Sequence, residues 1–178
     1  INVLNNLLET IDVIIIGGGL AGLCNAIHLS KFGKSVLLIE KNSYPKHKVC
    51  GEYISNEVLP YLQFLEINPF TFGAVKINRF KLSTTNNKLI SAKLPLGGFG
   101  ISRYTLDFEL AKKAKENGVK ILQDEVINVH FNNDVFNVET KQNQNFISKF
   151  VIGSFGKRSF LDVKMEREFI KKKSPYLG

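Results

Sequence analysis

The composition of this 178-residue chain is that of a soluble globular protein, with 44% hydrophobic and 22% charged residues, and its length suits one large domain or one domain and part of a second. The formal net charge of +8 would suit nucleic-acid binding, but the lysines are scattered and no nucleic-acid-binding motif accompanies them. We therefore expect a solvated basic surface and no nucleic-acid partner.

Three further absences in the sequence limit the location of the protein. No apolar run approaches the roughly 20 residues that cross a bilayer. The first residues lack the basic and long apolar regions of a signal peptide. Two cysteines, Cys24 and Cys50, are too few for a disulfide framework. We expect a cytoplasmic protein without a transmembrane segment, and we leave peripheral contact with a membrane open.

Residues 11–41 are predicted to form a β-α-β unit. Residues 12–16 are Asp12 followed by a short β-branched apolar run, which is typical of a parallel strand buried on both faces. Glycines at the G-x-G-x-x-G spacing follow, and then a helix with apolar residues three and four positions apart. Gly33 is predicted to end this helix, and a second buried strand over residues 36–39 leads to Glu40.

The spacing of the glycines indicates a dinucleotide site. Gly17 permits a tight turn after the strand, Gly19 lets the backbone approach a diphosphate, and Gly22 lets the helix pack closely on the strand. The N-terminus of the helix offers amide groups and a positive dipole end to phosphates. Glu40, at the end of the second strand, can accept hydrogen bonds from the adenosine ribose.

The next segment is predicted to be a loop and a helix. Residues 42–53 are polar and contain a proline and a glycine, so we expect a loop there. Lysines and a histidine precede Cys50, and their positive charge would favour the thiolate if the thiol is exposed. Ser55 is the predicted N-cap of a helix over residues 56–65.

The following residues predict a hairpin and a second helix. Apolar residues alternate over residues 75–94 around an Asn-Asn pair, which indicates a β-hairpin. A glycine-rich turn is expected over residues 97–100, and Thr105 is the predicted N-cap of a helix that ends at a glycine. We expect the inner face of this helix to carry Leu106, Leu110, Ala111 and Ala114. On its outer face we expect Glu109 and Lys113 to form a pair four residues apart.

The last predicted elements are strands. Residues 119–122 form a short strand, and three more strands form an antiparallel meander with asparagine-rich turns. The meander strands are expected at residues 125–131, 135–140 and 146–152. Residues 157–178 receive no assignment.

Three stretches together resemble the two-dinucleotide-binding-domain flavoproteins, in particular the branch of geranylgeranyl reductases, aromatic-ring hydroxylases and flavin-dependent halogenases. These stretches are DVIIIGGGLAGLCNAIHLSKFGKSVLLIEK, KVCGEYIS and ISRYTLDFELAKKAKENGVKI. The resemblance implies an α/β fold, in which a Rossmann-like FAD-binding parallel sheet is combined with an antiparallel β-meander and the beginning of a second, β-rich substrate domain.

The resemblance also implies a division into domains. The FAD-binding domain would comprise residues 1–73 and 101–160, with residues 74–100 as a β-hairpin insertion of the substrate domain and residues 161–178 as the start of the remainder. Two departures from the family are visible. Phe155 stands where the family has the acid of a G-A-D-G motif, and the later Gly-Asp motif has no counterpart. The sequence therefore looks like the N-terminal part of a larger flavoprotein.

The implied cofactor is FAD in an extended form. The implied contacts are Gly17, Gly18, Gly19, Leu20, Ala21 and Gly22 at the diphosphate, Glu40 at the ribose, Lys41 near the adenine, Lys48, Val49, Cys50 and Gly51 near the ribityl chain or ring, Arg103 at a phosphate or the adenosine, and the backbone of Val126 at the adenine. Other roles stay open: Arg103 as a surface ion-pair partner, Val126 as strand core, and Cys50 as a structural thiol. Asp107 is interpreted as a helix-turn residue.

The implied function is that of an FAD-dependent oxidoreductase similar to the geranylgeranyl reductases. Such an enzyme moves hydride from NAD(P)H through FAD to an apolar or lipid-like small molecule. Two alternatives remain: an FAD-dependent monooxygenase or halogenase of aromatic substrates, and a nucleotide-binding fragment without turnover. His28, His47 and His130 share no metal-ligand spacing with the cysteines, so no metal is expected. No catalytic acid or base is identified.

Overall fold

The computed structural model describes residues 11–50, 52–157 and 159–171, and these fall into two compact units. The first unit contains the described residues of Ile1–Ser43 and Ala114–Gly178, and the second is Tyr44–Lys113. In chain order the elements are β1 (Ile11–Ile16), α1 (Leu20–Lys31), β2 (Val36–Glu40), β3 (Tyr53–Ser55), a 3-10 helix (Asn56–Val58), α2 (Leu59–Phe64), a second 3-10 helix (Pro69–Phe72), β4 (Val75–Ser83), β5 (Leu89–Gly100), α3 (Arg103–Glu116), β6 (Lys120–Gln123), β7 (Val126–Asn132), β8 (Val135–Thr140), β9 (Asn145–Gly153), α4 (Phe160–Lys164) and α5 (Glu168–Lys171).

The first unit is built on a six-stranded sheet with the strand order β6-β2-β1-β9-β8-β7. β6, β2, β1 and β9 run parallel, whereas β9, β8 and β7 form an antiparallel meander. The predicted combination of a parallel sheet with a meander is therefore confirmed. The last meander strand, β9, is also the direct neighbour of β1 in the parallel part of the sheet.

Apolar residues of the central strands form the core of this unit. All five residues of β2 are buried, as expected for a parallel strand covered on both faces. α1 buries one stripe of its surface, which includes Leu23, Ala26 and Ile27, so the predicted helical periodicity is confirmed. One cluster of buried residues consists of Ile14, Ile16, Leu37, Ile39, Val126, Val138 and Leu161.

The start of β1 is fixed to the turn before β2 by Asp12. The carboxylate of Asp12 accepts hydrogen bonds from the amide (2.8 Å) and the hydroxyl (2.9 Å) of Ser35, and the Asp12 amide donates to the Ser35 hydroxyl (2.8 Å). These hydrogen bonds, the one from the Ser35 amide first, lower the pKa of Asp12 below its ordinary value, because they stabilise the charged form.

We expect Asp12→Asn to lower the free energy of unfolding at neutral pH and to have a smaller effect in acid. The folded-state pKa of Asp12 lies below the unfolded one, so its contribution is present above the unfolded pKa and is lost as the pH falls through the folded pKa. Urea unfolding of both proteins from neutral to acidic pH measures the difference. A stability difference that stays constant into acid would contradict this role of the carboxylate.

The second unit contains an antiparallel sheet with the order β3-β5-β4, which includes the predicted hairpin of β4 and β5. The prediction of a glycine-rich turn at residues 97–100 was wrong, because these residues belong to β5. A Cβ at Gly98 would lie 2.5 Å from the ring of Tyr53 and from the carbonyl oxygen of Ile54. Glycine is therefore needed here for close approach between strands.

Both helices of the second unit begin differently from the prediction. Ser55 caps a 3-10 helix, and the α-helix begins only at Leu59, with a proline in its first turn. Proline has no backbone amide to donate to the preceding turn, so the α-helical hydrogen-bond ladder does not run unbroken through this position. Thr105 is not the N-cap of α3, which begins at Arg103; the amide of Tyr104 donates to the Ser102 hydroxyl at 3.2 Å. The predicted apolar face of α3 is buried.

The outer face of α3 also differs from the sequence prediction. Lys113, predicted to pair with Glu109, forms an ion pair with Glu66 at 2.5 Å. The periodicity of a helix cannot reveal such a partner, because Glu66 lies 47 positions away in the chain.

Candidate functional site

Four parallel strands of the first unit end at the same edge of the sheet. Ile16 of β1 is in register with Ile39 of β2 and with Gly153 of β9, and Glu40 of β2 is in register with Gln123 of β6. The turn from β1 into α1 leaves the sheet at this edge. In open α/β sheets, ligands bind outside the carboxyl ends of the strands, which makes this edge the candidate site.

The glycine turn is closely packed against the segment that follows β9. Gly17 has a φ of +101°, and a Cβ on it would lie 2.6 Å from the carbonyl oxygen of Ser154 and from the Cα of Phe155. A Cβ on Gly22 would collide with the carbonyl oxygen of Gly17 and lie 2.7 Å from the hydroxyl of Ser154. Both positions therefore require glycine for reasons inside the protein.

The N-terminus of α1 offers backbone donors at this edge. Gly19 is the N-cap in an extended conformation, no side chain caps the helix, and its first turn contains no acidic residue. The amide of Leu23 donates to the carbonyl of Gly19 at 2.9 Å, so the amides of Leu20, Ala21 and Gly22 precede the helical hydrogen-bond ladder. Such amides, together with the positive end of the helix dipole, fit a diphosphate.

Glu40 lies directly against the glycine turn. One carboxylate oxygen accepts a hydrogen bond from the amide of Gly18 at 2.7 Å, and the other accepts from the amide and side-chain amide of Asn42, both at 3.0 Å. The residue is 6% exposed. These hydrogen bonds hold the carboxylate at the end of β2 against the glycine turn. The contact of Glu40 with a ribose stays a prediction.

Two other predicted contacts belong to the same unit. The ammonium of Lys41 lies 3.6 Å from the carboxylate of Glu125, and its side chain is largely exposed. Val126 opens β7, and its side chain is buried in the core cluster, which agrees with the alternative of a strand-core residue. The adenine contacts of Lys41 and of the Val126 backbone stay predictions.

The remaining predicted contacts belong to the second unit. Lys48, Val49 and Cys50 are exposed in the loop before β3, and the sulfur of Cys50 accepts a hydrogen bond from the amide of Glu52 at 3.4 Å. Gly51 lies outside the residues that the structure describes. The contacts of these residues with FAD stay predictions.

Arg103 and Asp107 form a bidentate ion pair within the first turn of α3. The two donor–acceptor distances are 2.7 and 2.8 Å, Asp107 is fully buried, and the Arg103 side chain is 15% exposed. The hydrogen bond with Asp107, more than any other influence, raises the pKa of Arg103 above its ordinary value, because it stabilises the charged guanidinium. Arg103 thus has a buried partner, and its contact with FAD stays a prediction.

Ser154 is a residue of this edge that sequence reasoning missed. It directly follows β9, and its hydroxyl lies 2.7 Å from the carbonyl oxygen of Gly17 and 3.0 Å from that of Ile16. The sequence shows a small hydroxyl residue directly after a predicted strand. This pattern alone could not assign Ser154 to the site, because only the pairing of β9 with β1 brings it to the glycine turn.

Within residues 11–50, 52–157 and 159–171, no group of three or more His, Cys, Asp or Glu side chains could hold a metal ion. In the same ranges, no helix has the length and apolarity needed to cross a membrane.

Comparison with known proteins gives matches that include the glycine turn. Residues 12–49 match the family described as FAD dependent oxidoreductase. The chain is 23% identical over 118 residues to a menaquinone reductase of Mycobacterium tuberculosis, a match that covers 64% of this chain and 29% of the relative. It is 32% identical over 116 residues to a digeranylgeranylglycerophospholipid reductase of Methanoculleus marisnigri, covering 62% of this chain and 28% of the relative. The chain thus spans less than a third of the length of either relative.

The fold also matches a solved structure. Halogenase PltM in complex with phloroglucinol and FAD superimposes with a TM-score of 0.72 at 19% identity, and the match covers 88% of this chain and 36% of that chain. At this identity the likeness shows the fold. The predicted resemblance to FAD-dependent oxidoreductases with reductase and halogenase relatives is confirmed.

Proposed function

We propose that this chain is the FAD-binding part of an FAD-dependent oxidoreductase and that the turn between β1 and α1 binds the diphosphate of FAD. The observation that supports this most is the uncapped N-terminus of α1, which begins at the carboxyl edge of the parallel sheet directly after the glycine turn. The family match covers this turn and Glu40. The net charge of +8 also favours an anionic cofactor.

Each residue of the edge has a defined task in this proposal. The amides of Leu20 and Ala21 donate to the diphosphate, and Glu40 accepts hydrogen bonds from the ribose hydroxyls. Gly17 and Gly22 allow the turn to lie close to the sheet, so that these donors are held in place before the cofactor binds. Lys41 and the backbone of Val126 contact the adenine end.

We further propose a reductase activity in which hydride passes from NAD(P)H to an apolar or lipid-like substrate. Bound FAD would supply the redox chemistry, and the protein would bind and orient it. Two of the relatives are named as reductases, and one of these is named for a phospholipid. Flavin-dependent halogenases of Armillaria mellea are also similar to the chain, at 28–29% identity, so the reaction class is tested directly by the second experiment below.

The first experiment separates FAD binding from activity. The purified chain is incubated with excess FAD, unbound FAD is removed by gel filtration, and the visible spectrum is recorded. We expect flavin absorbance to elute with the protein; a colourless protein would contradict the proposed function. Bound flavin that NAD(P)H does not reduce would instead indicate a nucleotide-binding chain without turnover.

The second experiment addresses the reaction class. Oxygen uptake is followed with NAD(P)H, FAD and candidate isoprenoid substrates. We expect substrate reduction without stoichiometric oxygen consumption. Oxygen uptake coupled to substrate conversion would contradict the reductase proposal and assign an oxygenase or halogenase.

We expect Glu40→Ala to weaken FAD binding about a hundredfold, since it removes hydrogen bonds to a charged group worth about 1.5–3 kcal/mol each. The substitution removes the proposed ribose acceptor and also the acceptor that holds the Gly18 amide. Fluorescence quenching of FAD on titration with protein measures the dissociation constant. The control is Glu139→Ala, an acid of β8 that contacts Asn128; equal effects of the two substitutions would contradict the assignment of Glu40.

A further inference from the structure

The peptide group between Gly17 and Gly18 is held at both ends by side chains. Its carbonyl oxygen accepts a hydrogen bond from the hydroxyl of Ser154 at 2.7 Å. Its N–H donates to the carboxylate of Glu40, also at 2.7 Å. Because this carbonyl and this N–H belong to one planar unit, the two contacts together fix the orientation of a single peptide plane.

The preceding peptide group, between Ile16 and Gly17, is also held at both ends, here by backbone groups. The amide of Gly17 donates to the carbonyl of Ile39 at 2.8 Å, and the carbonyl of Ile16 accepts from the amide of Ser154 at 2.8 Å. The Ser154 hydroxyl lies 3.0 Å from the same Ile16 oxygen. Ser154 therefore contacts the carbonyl groups of two consecutive peptides at the point where the chain leaves β1.

Such contacts matter here because the backbone at this point is intrinsically free to rotate. Glycine has no Cβ to restrict it, and Gly17 has a φ of +101°. A reversed peptide would bring the carbonyl oxygen of Gly17 toward the carboxylate of Glu40 and would break both hydrogen bonds. It would also displace Gly19 and the amides that open α1.

We propose that Ser154 is a positioning residue of the diphosphate-binding turn. Its hydroxyl holds the Gly17–Gly18 peptide in the orientation that directs the first amides of α1 toward the diphosphate, without contacting the cofactor itself. This inference rests on the proposed binding of FAD. It assigns to the segment after β9 a part in the cofactor site.

The experiment compares three variants of the full chain. S154A removes the hydroxyl, S154T retains it, and S148A is the matched control, since the buried Ser148 hydroxyl donates to the carbonyl of Phe150 at 2.9 Å. NMR measures hydrogen exchange of the Gly18 amide without FAD, and fluorescence quenching measures the affinity for FAD. For S154A we expect exchange and the dissociation constant each to rise about tenfold, as for the loss of one hydrogen bond.

The control S148A and the hydroxyl-retaining variant S154T distinguish a positioning role of Ser154 from a general loss of stability. We expect S148A to leave both readouts unchanged and S154T to restore both. Unchanged exchange of the Gly18 amide in S154A, or equal losses of FAD affinity in S154A and S148A, would overturn the inference. If the unsubstituted chain does not bind FAD, the proposed function fails, and the exchange of the Gly18 amide alone then decides whether Ser154 holds the turn.

Discussion

Gly22→Ala is expected to destabilise the protein by about 3 kcal/mol, at the upper end of the range for overpacking, and to weaken FAD binding at least about a hundredfold. The added methyl group would collide with the carbonyl oxygen of Gly17 and approach the Ser154 hydroxyl to 2.7 Å. The Ser154 hydroxyl ends a short side chain, but the Gly17 oxygen is a backbone atom and makes the closer contact. The collision can therefore be relieved only by movement of α1 or of the turn, and either movement displaces the proposed diphosphate donors.

Gly33→Ala is the matched control for this prediction. Gly33 follows the same helix and has a φ of +71°, but a Cβ there would have no atom within 4 Å. We expect a cost of about 1 kcal/mol from the left-handed conformation and no change in the affinity for FAD. Urea unfolding and FAD titration of both variants measure the two effects. A similar loss of FAD affinity in both would contradict the packing explanation.

Asp107→Ala is expected to destabilise the protein by about 3 kcal/mol or more, because it leaves a buried charge without its partner. Asp107 is fully buried, and the guanidinium of Arg103 is only 15% exposed. Removal of the carboxylate leaves Arg103 without its bidentate acceptor. Chemical denaturation measures the change in the free energy of unfolding.

Two comparisons make this prediction specific. Asp162→Ala breaks a longer ion pair, 3.6 Å from a half-exposed Arg167, and should cost about 1 kcal/mol or less. The double substitution Arg103→Met with Asp107→Leu removes both charges and should cost less than Asp107→Ala alone. A double variant that is less stable than Asp107→Ala would show that packing, and not the unpaired charge, accounts for the loss.

The elements that the sequence predicted well are those set by local pattern. β2 and the meander strands lie within one or two residues of their predicted bounds, because continuous apolar runs and asparagine turns are properties of neighbouring residues. The glycine spacing likewise placed the turn between β1 and α1. Local signals were therefore sufficient for the bounds of these strands and for the turn at the centre of the candidate site.

The residues that were misplaced or missed depend on contacts between distant parts of the chain. The glycines of residues 97–100 predict a turn when read locally, but the ring of Tyr53 lies against Gly98 in the neighbouring strand. Ser154 becomes part of the site only through the pairing of β9 with β1. Such pairings follow from the order of strands in the sheet, which hydrophobic periodicity does not contain.

The most direct test of the central claim is to map FAD binding onto individual backbone amides by NMR. We predict that FAD shifts the amide resonances of Gly19, Leu20 and Ala21 most strongly, that excess ADP produces the same shifts in this turn, and that Gly22→Ala abolishes them. Binding of FAD that leaves these three amides unchanged, while other residues shift, would contradict the assignment of the β1–α1 turn as the diphosphate site.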